Sequence, residues 1–192
     1  MPRLWSATIE SHRRDVREAI LDATVGLVET HGLRGVTMSQ IAAATGIGRA
    51  TLYKYFPDVE TILIAWHERQ IDAHLRQLRQ LASHGADPLT CLEAVLAAYA
   101  LIRHQTARDH HGTDLSGLVH HGEHVGKAEA QLSQLVAGLI ADAASAGKIR
   151  NDVASPELAA YALHALSAAA ELKSPEAVHR LAAVTLAGLR PA

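Results

Sequence analysis

Within six residues, Arg49 to Lys54, the chain places a guanidinium, a hydroxyl, a phenol and an ammonium at Arg49, Thr51, Tyr53 and Lys54. Cations and hydrogen-bond donors gathered so closely suit a partner rich in acceptors. Duplex DNA offers such acceptors as phosphate oxygens and as base edges in the major groove. The apolar residues that interleave with them, Leu52 and Phe56, stand four apart and share one face of a helix. Burial of that face anchors the helix and turns Ala50, Thr51, Tyr53 and Lys54, with Arg49 at the start, to the roughly opposite arc. The result is a contact face.

A contact helix works only if something holds it at a fixed angle, and the preceding residues supply the means. Thr37 can cap a first helix with its hydroxyl, and Gln40, three residues on, completes a capping-box pattern. Ile41 is placed for a core, Ala42 is small enough for a crossing helix to come close, and Gly46 stands where the chain must reverse. Gly48 is a permissible cap for the next helix. The whole stretch, TMSQIAAATGIGRATLYKYF, reads as a helix-turn-helix whose second helix is offered to a major groove. A plain helical corner is the alternative. Cap, small residue, turn glycine and polar face agree with one another and favour the DNA-binding reading.

Thr37 to Trp66, with TLYKYF followed by a further amphipathic helix, resembles the amino-terminal domain of TetR-type transcriptional repressors. The likeness spans roughly residues 12–66 and beyond them is one of architecture. It implies that Arg49, Ala50 and Thr51 occupy base-reading positions, and that Thr37, Tyr53, Lys54 and Tyr55 occupy phosphate-contacting ones. It further implies a small-molecule effector sensed by the second domain. Gly48 stands where a serine is common in the family, Ala50 where glycine is common, and Val59 where a lysine usually opens the fourth helix. These departures from the family pattern imply fewer backbone contacts to DNA at this end of the motif.

The formal charge of −2 over 192 residues argues at first against a nucleic-acid partner, and its distribution answers the objection. Residues 1–54 carry +2, with Arg13, Arg14 and Arg17 close before the motif, while the remainder carries −4. A hydrophobic content of 48% is ample for a buried core, and no run of eighteen apolar residues exists. With no apolar segment of a secretory signal at the amino terminus, the expected address is the cytoplasm, without a membrane partner. The single cysteine, Cys91, lies in the apolar stretch LTCLEAVLAAY and reads as core.

The periodicity predicts an all-α chain of about nine helices, with no strand pattern and no internal repeat. A first helix runs from about Ser11 to His31 on Val16, Ile20, Ala23 and Leu27, and Gly32 ends it. After Pro57 and Asp58 a long helix continues to about Ala82, and Pro88 opens another that reaches about Arg108. Residues 109–122 have weak periodicity and form either a short helix between loops or a mobile segment. Glu123 to Ala146 is helical again, with Gly147 as the stop. Two last helices open at Pro156 and Pro175, each with a serine in the capping position. The expected division is a three-helix DNA-binding domain over 1–57 and a larger effector-binding and dimerisation domain over 58–192.

The last two helices are rich in alanine and leucine on more than one face and need partners on several sides. A homodimer that joins them in a four-helix bundle supplies those partners, as the family resemblance also implies. It would present two recognition helices to a palindromic double-stranded DNA operator. Completion of one monomer's own core is the simpler alternative.

Six of the thirteen histidines fall between His104 and His124, among Asp109, Asp114 and Glu123. Imidazoles and carboxylates can ligate zinc, nickel or copper, so a metal-sensing repressor is conceivable. Without an HExxH or a cysteine pair, and with His-His doublets that cannot both point into one site from a helix, no metal ligand is assigned and no cofactor is expected. For an organic effector the candidate lining groups are Trp66, Tyr99, Arg103, His104, His124, Tyr161 and His164. With aromatic residues at 4%, an aliphatic or small polar effector is favoured over a large planar one. No Ser/His/Asp order, phosphate loop or paired-carboxylate signature stands in the chain, so it is not read as an enzyme; a metal-dependent hydrolase built on the histidines is the rival. A DNA-binding structural protein without an effector is a second rival.

Overall fold

The computed structural model describes residues 3–32, 35–84, 87–110 and 123–191, with backbone alone at 3–8, 109, 110 and 123. Among them run α1 (Arg3–His31), α2 (Met38–Thr45), α3 (Arg49–Tyr55), α4 (Val59–Ser83), α5 (Pro88–His110), α6 (Glu123–Ser145), α7 (Ser155–Ser167) and α8 (Pro175–Leu189). A short 3-10 turn, Ala168–Glu171, follows α7. The chain is all-α among the described residues, close to the count that the periodicity predicts. None of these helices is long and apolar enough to cross a membrane.

Contacts divide the chain into two compact units, the first ending at Gln70 and the second beginning at Ile71, inside α4. In the first, α1 packs on α2 and α2 on α3. Ile20, Leu21, Ile41, Leu52, Phe56, Ile62 and Leu63 form its core, each at most 2% exposed. These residues come from α1 to α4 at helical spacing, so each helix contributes one apolar stripe and leaves its other face outside.

In the second unit α5 is central and packs against α6, α7, the 3-10 turn and α8. Leu92, Val95, Leu96 and Ala100 of α5 are at most 1% exposed, and Cys91 at 5% belongs to the same core. The Arg150 N–H donates to the Leu189 carbonyl at 2.9 Å, which ties the loop after α6 to the end of α8.

The helix ends follow local chemistry. At the end of α6, Gly147 takes φ 68, its N–H bonding the Ala144 carbonyl while the Lys148 N–H bonds that of Ala143. Ser174 caps α8 by accepting from the Ala177 N–H at 3.3 Å, as its place before Pro175 predicts. Ser155 does not cap α7. Ala154 holds that position, Ser155 lies inside the first turn, and the Glu157 carboxylate accepts from the Ala154 N–H at 3.3 Å. A glutamate three residues into the helix satisfies the backbone without a hydroxyl, so the start moves back by one residue.

Two further boundaries differ from the sequence pattern. The first helix begins at Arg3 instead of Ser11; no glycine or proline interrupts residues 3–11, and the apolar period that marks a helix in sequence starts only at Val16. The alanine-rich stretch after Ser167, which carries no helix-stop residue, tightens into the 3-10 turn instead of continuing as α-helix. Residues 111–122, the body of the weakly periodic segment, lie outside the described residues.

Candidate nucleic-acid interface

The geometry of the motif begins at Thr37. Its backbone is extended (φ −123, ψ 153), its N–H donates to Gln40 Oε1 at 2.8 Å, and its hydroxyl accepts from the Gln40 N–H at 3.3 Å. The hydroxyl also donates to Gln40 Oε1 at 2.7 Å, so its proton is committed within the capping box. Gly46 ends α2 with φ 69, its N–H on the Ala43 carbonyl and the Ile47 N–H on that of Ala42. This pair of bonds reverses the chain within two residues and needs the left-handed conformation that glycine adopts without strain.

Gly48 caps α3 through its carbonyl alone, which accepts from the N–H groups of Thr51 at 2.9 Å and Leu52 at 3.0 Å. From there the faces separate as expected. Leu52 is sealed, while Arg49, Ala50, Thr51, Tyr53 and Lys54 are exposed and Tyr55 is half-buried against the core. Phe56 closes the helix, and the guanidinium of Arg17 lies 5.1 Å from its ring centroid, a cation–π contact that brings an α1 cation to the end of α3.

Two features behind the motif add to the sequence reading, one with a local signal and one without. Asp58 accepts from the Thr61 N–H at 2.7 Å and from its hydroxyl at 2.8 Å, and these bonds to the anion hold its carboxyl below the ordinary value. The aspartate and threonine three apart are a visible cap signal. Arg69 of α4 reaches Glu18 Oε2 at 2.5 Å and Asp22 Oδ1 at 2.6 Å on α1. Burial works against its charge, but the two carboxylates outweigh burial and raise its pKa. No local pattern could have paired residues so far apart in sequence.

The residues named for an effector are divided between the two units. Trp66 belongs to the first unit and packs against its core. On α5, Tyr99 is half-buried, with burial pushing its phenol up, the Arg103 cation pulling it down and the Glu129 carboxylate adding to the rise. Arg103 is exposed and His104 is 3% exposed. His124 Nε2 lies 3.3 Å from Asp72 Oδ1, close enough for attraction when the ring is charged but without hydrogen-bond alignment. Tyr161 is 49% exposed on α7, and His164, also exposed, has Nδ1 2.8 Å from the Ala160 carbonyl. A groove of about 470 Å³ between α5 and α8 is lined by Glu93, Leu96, His179, Leu186 and Arg190 among others, and by none of these seven. No three metal-ligating side chains gather among the described residues. His111, His120 and His121 lie outside them.

A capped helix, a left-handed glycine turn and a core-anchored second helix with a cationic outer face define a helix-turn-helix protein. The chain matches the family of bacterial regulatory proteins called tetR over residues 20–65, and the C-terminal domain of SbtR-like transcriptional regulators over residues 63–191. It belongs to the TetR family of transcriptional regulators. The HTH-type transcriptional repressor LfrR of Mycolicibacterium smegmatis is 36% identical over 86 residues, which cover 44% of this chain and 42% of LfrR. The match thus spans less than half the length of that curated relative. A solved TetR/AcrR-family regulator from Thermobifida fusca shares the fold, with a TM-score of 0.77 at 19% identity over 92% of this chain and all of the other. So does AibR, solved with isovaleryl coenzyme A and operator DNA, with a TM-score of 0.59 at 20% identity over 92% of this chain and 98% of AibR.

Proposed function

We propose that this chain is a ligand-responsive transcriptional repressor that binds a palindromic operator as a homodimer and is released by a small-molecule effector. The observation that carries the reading is the exposed arc of α3, Arg49 to Lys54, fixed from behind by buried Leu52 and Phe56. In this reading Arg49, Ala50 and Thr51 face base edges, while Lys54, Tyr53, Tyr55 and the Thr37 corner face phosphates. LfrR, named a repressor, and AibR, solved with a small ligand and operator DNA, support the reading of a ligand-responsive repressor.

The dimer rests on the outer face of the last two helices. Val184 is 68% exposed and falls in line with half-buried Ala177 and Leu181 and exposed Gly188 along α8. Tyr161 of α7 stands beside that stripe, close enough that a side chain at Gly188 would meet its hydroxyl at 2.8 Å. Such an apolar face is covered most simply by its own copy about a two-fold axis. Effector binding in the second domain then favours a dimer whose recognition helices have the wrong separation, with α4 carrying the change.

Selection of bound sequences from a random DNA pool tests the reading. A palindrome with half-site centres about 10–10.5 base pairs apart, or a multiple, is the expected product. An unrelated collection of sequences, or one half-site without its repeat, would overturn operator binding by a dimer.

A further inference from the structure

Two imidazole nitrogens among the described residues are sealed from solvent without a hydrogen-bond partner. One is Nε2 of His124, which lies 3.3 Å from Asp72 Oδ1, and the other is Nε2 of His104, which belongs to one of three buried polar side chains. The hydroxyls of Thr24 and Thr185 donate to carbonyls of their own helices, Ile20 at 2.7 Å and Leu181 at 2.9 Å. His104, on α5, has Nδ1 3.2 Å from the Ala169 carbonyl in the 3-10 turn, while Nε2 is sealed from solvent with no partner among the described residues. A buried polar atom left unpaired in this way is the mark of a water, ion or ligand that belongs there.

The tautomer follows from the partner. A carbonyl oxygen only accepts, so Nδ1 carries the ring proton, and in the neutral imidazole Nε2 is then a lone pair that needs a donor. A carboxylate could pair with the ring only after a second proton is added, and desolvating both charges in a sealed, alanine-lined place costs more than burying a neutral hydroxyl. A metal would need further ligands, and among the described residues no group of three exists. The helices around His104 supply aliphatic surface, with Ala100 and Ala169 fully buried beside it in sequence or by hydrogen bond.

Resting on the ligand-responsive reading above, we propose that His104 Nε2 is the polar anchor of the effector site, and that the effector is a mainly aliphatic molecule presenting a hydroxyl group to it. The imidazole acts as acceptor, and the Ala169 carbonyl fixes both its tautomer and its ring orientation. A second hydrogen bond formed in this way joins α5, the turn after α7 and the ligand.

The full chain labelled with 15N-histidine tests this directly, the His104 signals being assigned by their loss in His104→Leu. The probes are straight-chain alkanols from butanol to decanol and the carboxylates of matching length. In the free protein Nδ1 is expected protonated and Nε2 not. At least one alkanol should move the Nε2 signal while Nδ1 keeps its proton, should bind more tightly than its carboxylate, and should bind roughly tenfold more weakly to His104→Leu. A proton on Nε2 in the free protein overturns the proposal. So does a carboxylate that binds at least as tightly as the alkanol and protonates the ring, or an Nε2 signal that no alkanol moves, which would mean a resident water only. If His104→Leu fails to fold, His104→Gln supplies the assignment, and the signals of the unsubstituted chain decide. An alkanol that occupies His104 without loosening selected operator DNA would keep the site and sink release through it; failure at His104 with operator binding intact would sink the site and leave operator binding standing.

Discussion

Arg49 and Lys54 stand on the same exposed arc of α3, yet their chemistry separates what each can read. A guanidinium can fork onto the two acceptors of a guanine edge, whereas an ammonium meets phosphate as a point charge. Arg49→Ala should therefore cost on the order of 1–3 kcal/mol on the selected operator and much less on random DNA, measured by titration. Lys54→Ala should weaken both alike and lower the salt slope by about one. Equal loss on both DNAs for Arg49→Ala would make it a phosphate contact. The two glycines of the turn between α2 and α3 answer differently to an added side chain. Gly46 sits at φ 69, so Gly46→Ala should destabilise the fold by about 1 kcal/mol or more in urea melts. Gly48 sits at φ −67, and the nearest atom that a new Cβ would meet is Thr51 Oγ1 at 3.9 Å. Gly48→Ser should then be tolerated and add a few tenths of a kcal/mol of capping. A loss for Gly48→Ser as large as that for Gly46→Ala would contradict this account of the turn.

At the scale of elements, the start of α4 depends on one carboxylate. Thr61 donates both its N–H and its hydroxyl to Asp58, so the folded pKa lies below the ordinary 3.8. The anion is favoured in the folded state, so its contribution is complete above that ordinary value and is lost as pH falls through the lower folded one. Asp58→Ala should cost about 1 kcal/mol near neutral pH. The gap to the unsubstituted chain should hold steady down to about pH 5 and close below about pH 4, followed by denaturant unfolding at each pH. A gap that persists in strong acid would place the cap elsewhere. Such ends were legible in the sequence because they are local: Thr37 with Gln40, Gly46, Gly147 and Ser174 each act within a few residues of themselves. The apolar faces of α3 were legible for the same reason. Ser155 misled because Glu157 supplies an equivalent bond from the other side of the same turn. What stayed hidden is long-range: Arg69 on Glu18 and Asp22, Arg17 over Phe56, and His104 on Ala169. Nothing in residue type marks those pairs before the helices are packed. The outward turn of Tyr161 and His164 was hidden too, since an alanine-rich helix shows no clear polar side from which to read its orientation.

For the whole molecule, one recognition helix is a weak reader, and the two-fold partner is what makes a palindrome bind tightly, because the second contact forms at high effective concentration. The face proposed to recruit that partner is separable from the fold. Val184 is 68% exposed in the single chain, so Val184→Glu removes little packing within one subunit, whereas across a two-fold axis it would set two carboxylates against an apolar surface. The expected outcome is a folded monomer by sedimentation, with unchanged helical circular dichroism. Affinity for the palindrome should fall to roughly that for an isolated half-site. Arg49→Ala gives the opposite pattern, a dimer that has lost its preference among sequences. The two variants therefore divide the molecule into a part that reads and a part that counts. A Val184→Glu protein that remains dimeric and binds the palindrome undiminished would move the interface away from α8, while leaving the reading face of α3 where it is.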